Sequence, residues 1–95
     1  MKNYVVYILK CSDNSFYTGV TSNLEKRVLE HQSGKHPTSY TFKRRPIELV
    51  YFETFQDMSQ AIHYEKQIKG WSRAKKQALI EGNWDKVVEL AKRRS

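Results

Sequence analysis

Two tyrosines, Tyr7 and Tyr17, one arginine, Arg27, one histidine, His31, and one distant glutamate, Glu65, are side chains that together could cut a phosphodiester. That reaction needs an activated water, compensation for extra negative charge on the phosphate oxygens, and help for the departing oxygen. Glu65 could hold a hard divalent ion such as magnesium, which commonly takes one or two protein carboxylates and completes its shell with water and phosphate. Arg27 could clamp a non-bridging oxygen, because a guanidinium stays charged and its fork matches phosphate. A phenol beside a metal and an arginine can have its pKa lowered, so Tyr7 or Tyr17 could take a proton from the water, and His31 could relay it or orient the phenol.

The elements around these residues decide whether they can meet. Tyr4 to Lys10 is rich in β-branched and aromatic residues, Ser12-Asp13-Asn14-Ser15 has turn chemistry, and Phe16 to Thr21 is β-prone again, which predicts a hairpin. Tyr7 and Tyr17 can then share a face, with the register open by one residue. Ser22-Asn23-Leu24-Glu25 has the form of a capping box with Ser22 as the cap, and Gly34 is placed to end a helix from about Asn23 to Ser33. At about 100° per residue Leu24, Val28 and His31 fall in one narrow sector bordered by Arg27, so the charged pair is expected to face inward.

Lys35 to Pro46 has no periodicity and reads as a basic loop that could rim a phosphate cleft. Glu48 to Phe55 alternates Leu49, Tyr51 and Glu53 with Val50, Phe52 and Thr54, the pattern of a third strand covered at least partly on both faces. Asp57 caps a second helix whose stripe is Met58, Ala61, Ile62 and Ile68, with Glu65 near its middle, a costly place for a lone carboxylate. Ser72 starts a third helix with Lys75 and Lys76 outward, and Asn83 caps a short last one running toward Lys92-Arg93-Arg94. The expected order is β-β-α-β-α-α-α, an α+β domain spanning residues 1–95.

Seventeen Lys and Arg against ten Asp and Glu give a formal charge of +7, a field that favours nucleic acid as partner over a merely soluble surface. Lys43, Arg44, Arg45, Arg73, Lys75 and Lys76 are the candidate phosphate contacts. One cysteine, Cys11, excludes an internal disulfide and a multi-cysteine zinc site and suits the cytoplasm. The apolar run Val5 to Leu9 is too short for a membrane span, so no membrane is expected.

Each candidate also has a structural explanation. Strands favour tyrosine, a core histidine can bond to backbone, the two tryptophans, Trp71 and Trp84, can anchor helix starts instead of stacking bases, and an Arg27–Glu65 ion pair would account for both inward charges without a metal.

Taken together, Val5-Val6-Tyr7, Tyr17-Thr18-Gly19, Arg27 and Glu65 resemble, in order and spacing, the motifs of the GIY-YIG nuclease superfamily over about residues 4 to 83. Tyr-Ile-Leu-Lys-Cys near the start and Ile-Lys-Gly-Trp-Ser-Arg-Ala-Lys-Lys at 68 to 76 are similar to its small single-domain bacterial branch, excinuclease-like and of UPF0213 type. The resemblance implies a three-stranded antiparallel sheet flanked by helices. It also implies Tyr7 as general base, Tyr17 as its partner near the attacking water, Arg27 as phosphate clamp, His31 as an assisting group, Glu65 as the sole metal ligand for Mg2+ or Mn2+, and Asn83 as the counterpart of a late asparagine. Val5 and Val6 replace the glycine and isoleucine of the first motif, Thr18 is the middle residue of the second, and Val20 stands where the excinuclease relatives have a lysine-bearing loop. These departures bear on substrate preference and on any lysine-assisted step. The expected activity is metal-dependent DNA cleavage, in repair or on branched or damaged DNA, with RNA an open substrate and specificity low, structure-directed or supplied by a protein partner. The alternative is a nucleic-acid-binding or adaptor module whose site is idle.

Overall fold

The computed structural model describes residues 3–92. Strands β1 (Tyr4–Lys10) and β2 (Phe16–Thr21) are followed by helix α1 (Leu24–Ser33), a 3-10 turn (Phe42–Arg44), strand β3 (Glu48–Phe55) and helices α2 (Met58–Lys69), α3 (Arg73–Ile80) and α4 (Trp84–Lys92). The order is the expected one, and the sheet is antiparallel, β2-β1-β3, with β1 in the middle. Arg93 and Arg94 of the basic tail lie outside the described residues.

The central place of β1 explains its unbroken apolar run, since a strand covered on both faces has no need to alternate. Val6 and Ile8 pack with Ala61, Ile68, Ala78, Leu79 and Val87 from the later helices. Tyr7 and Leu9 pack on the opposite face with Cys11 and Ile47, beside Tyr17, Leu24, Val28 and Leu49. The hairpin turn closes with Asn14 in the left-handed region at φ 68°, which asparagine tolerates, and Asp13 accepts from the Ser15 backbone N–H at 3.0 Å.

Several local expectations are corrected. Helix α1 is capped by Asn23, whose side chain accepts from the Lys26 N–H, and not by Ser22. The Thr21 hydroxyl accepts from the Asn23 N–H and keeps the chain extended one residue longer. At the other end Gly34 takes φ 73°, where an L side chain is strained, and its N–H bonds back to Glu30. In β3 the register slips opposite Ile8 and Leu9, so that Ile8 faces Tyr51 while Leu9 faces Leu49. That bulge sends Leu49 to the Tyr7 face and Tyr51 to the Ile8 face, so the two do not share a side as strict alternation predicts.

Helix α2 has its predicted cap, Asp57 accepting from Gln60, but Met58 is half exposed and Ala61, Glu65 and Ile68 form the buried stripe. In α3 Lys75 is buried and does not point outward. Its Nζ lies 4.0 Å from the centre of the Trp71 ring, a cation–π contact on the wall of the core. Asn83 caps α4, accepting from the Lys86 N–H at 3.2 Å. Among the described residues no helix is long and apolar enough to cross a membrane.

Candidate active site

The β1–β2 register sets the two phenols. Tyr7 lies opposite Gly19 and Leu9 opposite Tyr17. Directly opposed residues share a face, so both tyrosines rise from one side of the hairpin, with ring centres 6.4 Å apart. The Tyr7 ring lies across Gly19. A Cβ added there would come 2.5 Å from the Tyr7 hydroxyl oxygen and 2.6 Å from Cζ, so the motif glycine is needed because it leaves the floor open for the phenol.

Helix α1 brings His31 onto this phenol. His31 is the buried residue of the helix, and its Nε2 is 3.1 Å from the Tyr7 hydroxyl. Its ring stands edge-on to Tyr17 at 5.2 Å. The other nitrogen, Nδ1, lies 2.7 Å from Oγ1 of Thr41, which is completely buried and in turn 3.2 Å from the Ser39 hydroxyl. Next to Thr41, Tyr40 stacks on Tyr17 at 6.0 Å, and the Arg44 guanidinium lies 3.9 Å over the Tyr40 ring.

Tyr40 and Thr41 are site residues that sequence reasoning missed. They sit in a segment without periodicity, and only the folded chain sets Tyr40 on Tyr17 and Thr41 on His31. The loop that carries them is held from several sides. Gln32 both donates to the Ile47 carbonyl and accepts from its N–H, at 2.9 and 3.0 Å. The Ser12 N–H donates to the Arg44 carbonyl, and Arg44 Nε to Asp13 at 3.1 Å.

Arg27 lies one turn before His31 at the rim, its side chain 42% exposed, and is less inward than the helical wheel suggests. Its Nε is 3.4 Å from Glu30. Glu65 is buried on α2, with Lys69 Nζ 3.6 Å from Oε2. Among the described residues the ion pairs of Arg27 and Glu65 are therefore with neighbours on their own helices, and the Arg27–Glu65 pair that would explain both charges structurally does not form.

Burial, the largest effect, pushes the Tyr7 phenol up to about 12, with Tyr17 adding to the rise, Arg27 opposing it and Glu65 adding again. Tyr17 packs beside the Tyr7 ring and His31 touches its hydroxyl, while the charges of Arg27 and Glu65 bear on its ionisation. Without a metal the direction is upward, because desolvation outweighs the half-exposed arginine. His31 is held below its usual value, first by burial and then by Arg27, and is neutral at pH 7.

The donor set sets limits on any metal. No group of three or more His, Cys, Asp or Glu that could hold an ion occurs among the described residues. One buried carboxylate fits a hard cation that keeps waters and takes phosphate oxygens, as magnesium does, and does not fit a tetrahedral zinc cage. A pocket lined by Phe16, Tyr17, Thr18, Tyr40, Lys69 and Lys76 lies on the Tyr17 side, and a polar one lined by Thr21, Ser22, Asn23, Lys26, Arg27 and Glu30 on the arginine side.

The candidate phosphate contacts divide by what already occupies them. Lys43 is exposed, and Lys76 is half-buried, its pKa lowered first by burial and then by Lys69. Arg44 is engaged with Asp13, the Tyr40 carbonyl and the Tyr40 ring, and Arg45 with the carbonyls of Phe42 and Gln32. Arg73 donates to the Asn14 carbonyl and covers the Phe16 ring, while Lys75 is held on Trp71. The Asn83 side chain is used in the α4 cap.

The family model described as the GIY-YIG catalytic domain matches residues 3–78. A UPF0213 protein of Syntrophus aciditrophicus is 50% identical over 86 residues, which cover 90% of this chain and 98% of that one. A UPF0213 protein of Haloquadratum walsbyi is 46% identical over 82 residues, 86% of this chain and 91% of its own. Of solved structures, a UPF0213 protein of Bacillus halodurans is 40% identical with a TM-score of 0.55 over 83% of each chain. A protein of E. faecalis is 36% identical with a TM-score of 0.61 over 86% of each.

Proposed function

Since the chain belongs to the GIY-YIG family, in its UPF0213 branch, we propose that it is a divalent-metal-dependent DNA endonuclease that acts in repair or on branched or damaged DNA. The observation that carries this reading is the contact of His31 Nε2 with the Tyr7 hydroxyl at 3.1 Å, with Tyr17 beside both rings and Arg27 one turn away on the same helix.

The contact between the Tyr7 hydroxyl and His31 suggests how the phenol works, since without a metal burial keeps it protonated at pH 7. The phenol, closed to solvent in the free chain, would meet the attacking water only as substrate opens the site, taking its proton while giving its own to Nε2 of neutral His31, 3.1 Å away. No full negative charge then rests on a buried oxygen, and the proton ends on an imidazole, a better acceptor than a neutral phenol. Tyr17 packs against both rings and limits the approach of other solvent. Arg27, on the exposed rim, turns its guanidinium to a non-bridging phosphate oxygen and stabilises the charge that develops there. Glu65 is the residue that would hold Mg2+ or Mn2+, which when bound supplies charge neutralisation at the phosphate. Lys43 and Lys76 extend a positive surface for the backbone, and the +7 charge draws the polyanion in. A reducing cytoplasm suits a chain with one buried thiol.

The test is a cleavage panel of single-stranded, duplex, flapped and junction DNA with magnesium, manganese or chelator. The wild type is expected to nick with metal and not with chelator, and Glu65→Ala and Arg27→Ala each to lose cutting while keeping the fold. Unchanged cutting by either variant contradicts the assignment. Salt-sensitive DNA binding with no turnover in any metal supports the idle-site alternative.

A further inference from the structure

His31 has two ring nitrogens, and the relay described above works in one tautomer only. Nε2 must be bare to accept the Tyr7 proton, which places the ring hydrogen on Nδ1. Nδ1 points at Oγ1 of Thr41 at 2.7 Å, and that hydroxyl is 3.2 Å from the hydroxyl of Ser39. A threonine oxygen has one hydrogen to give. If it donates to Ser39, it accepts from Nδ1–H and leaves Nε2 bare. If it donates to Nδ1, the hydrogen moves to Nε2 and the ring cannot take the phenol's proton.

We infer that Thr41 is a positioning residue that holds His31 in the Nδ1–H tautomer and accepts from it when the ring becomes an imidazolium. The inference rests on the nuclease reading for its kinetic consequence, while the tautomer itself is a property of the folded chain. Two features support the choice of Thr41. It is 0% exposed, so water cannot replace its hydroxyl at Nδ1, and an unpaired buried N–H costs more than an unpaired nitrogen lone pair beside a methyl group. It is also fixed in place, because the loop is tied to α1 through Gln32 and to the hairpin through Arg44. The other titratable groups around the ring are Tyr7 and Tyr17 from the hairpin, Arg27 and Glu30 from α1, and His36 from the loop, of which Arg27 and His36 oppose its protonation and Glu30 favours it. None of them reaches Nδ1 in the way the Thr41 hydroxyl does, since the Tyr7 bond is made by Nε2.

The chain has three histidines, so His36→Gln with His63→Gln leaves His31 as the one imidazole to observe. In that background the ring 15N shifts at pH 8 are compared for Thr41, Thr41→Val and Thr41→Ser, beside cleavage kinetics of each on the DNA that the wild type cuts. Thr41 and Thr41→Ser are expected to show Nδ1–H, and Thr41→Val to move the hydrogen to Nε2. The Thr41→Val turnover is expected to fall by about tenfold to a hundredfold with KM unchanged, and Thr41→Ser to stay within about threefold. Ser39→Ala, which leaves Thr41 in place but removes its acceptor, gives a mixed tautomer and a smaller loss, and serves if Thr41→Val does not fold. An Nε2–H ring in the unsubstituted chain overturns the inference, as does a tautomer that neither Thr41→Val nor Ser39→Ala changes, or full turnover in a variant whose tautomer has moved. Absence of turnover in the wild type sinks the nuclease reading alone, and the 15N shifts still decide the role of Thr41.

Discussion

On one face of β1, Val6 and Ile8 pack among Ala61, Ile68, Ala78, Leu79 and Val87; on the other, Tyr7 packs among His31, Tyr17 and Gly19. Val6, Tyr7 and Ile8 are all 0% exposed, so the two faces are equally dry and differ in what the dryness does. Under Val6 and Ile8, removal from water is stabilising, because the buried side chains packed on them from the later helices are apolar. Around Tyr7 the same removal from water raises a phenol and lowers an imidazole, which favours the neutral form of both. Glu65 joins the two regions. It lies on α2 between Ala61 and Ile68, which are buried in the first core, and its negative charge is the last of the influences that raise the Tyr7 phenol.

The contrast can be broken by paired substitutions. Removing the hydroxyl with Tyr7→Phe keeps the ring over Gly19 and is expected to lower turnover about a hundredfold or more, with little effect on DNA affinity. Ile8→Ala should do the opposite, costing about 2–5 kcal/mol in urea unfolding while the folded fraction keeps its turnover. A large loss of turnover per folded molecule in Ile8→Ala would remove the distinction between the faces.

Gly19→Ala probes the seam between the strands. Its methyl meets the Tyr7 hydroxyl and Cζ, so the phenol has to shift away from His31. A destabilisation of about 1–3 kcal/mol is expected, together with a larger relative loss in kcat than in DNA binding. Equal losses in both would mean that the phenol position is not what the glycine protects.

A smaller effect separates the faces by pH. Tyr7 has a folded pKa of about 12 against an ordinary tyrosine value of 10.0, so its contribution to stability is fully present below pH 10. Above that the unfolded chain loses its proton first, and the contribution is lost as pH rises through about 12. Tyr51 and Tyr64, hydrogen-bonded to each other at 2.7 Å on the Ile8 side, are raised as well and add to the same window. Unfolding curves between about pH 9 and 12 are expected to fall less steeply for Tyr7→Phe than for the wild type, by roughly 2 kcal/mol over the window. Identical slopes would show that the Tyr7 phenol is not desolvated. At the acid end the sign is opposite, since His31 is held neutral and the unfolded state takes up its proton first as pH drops.

The hairpin, the three later helices and the order of elements follow from short-range signals, and those are what a sequence carries most directly. Asp57, Ser72 and Asn83 cap helices as their types suggest, and strand and helix periods put Tyr7, Tyr17, His31 and Glu65 near an inner face, while Arg27 ends at the rim. The features that a sequence hides depend on partners distant along the chain. Thr41 gains its place from His31, Lys75 turns inward because Trp71 offers a ring, and the β3 bulge arises in the pairing with β1. The basic loop is legible as basic, but charge does not say which arginines are already bound to carbonyls, and Arg44 and Arg45 are. The direction of the Tyr7 pKa is hidden for a similar reason: the arginine four residues before His31 is visible in the sequence, whereas the complete burial of the phenol is not.

If the Tyr7 hydroxyl, served by His31, performs the proton transfer for phosphodiester cleavage, removing that one oxygen must slow the chemical step itself. Single-turnover cleavage of the preferred DNA at saturating magnesium, comparing the wild type with Tyr7→Phe at matched occupancy, tests this most directly. A rate lower by about a hundredfold or more, with unchanged DNA binding, is the predicted result. Equal rates would contradict the role given to the phenol.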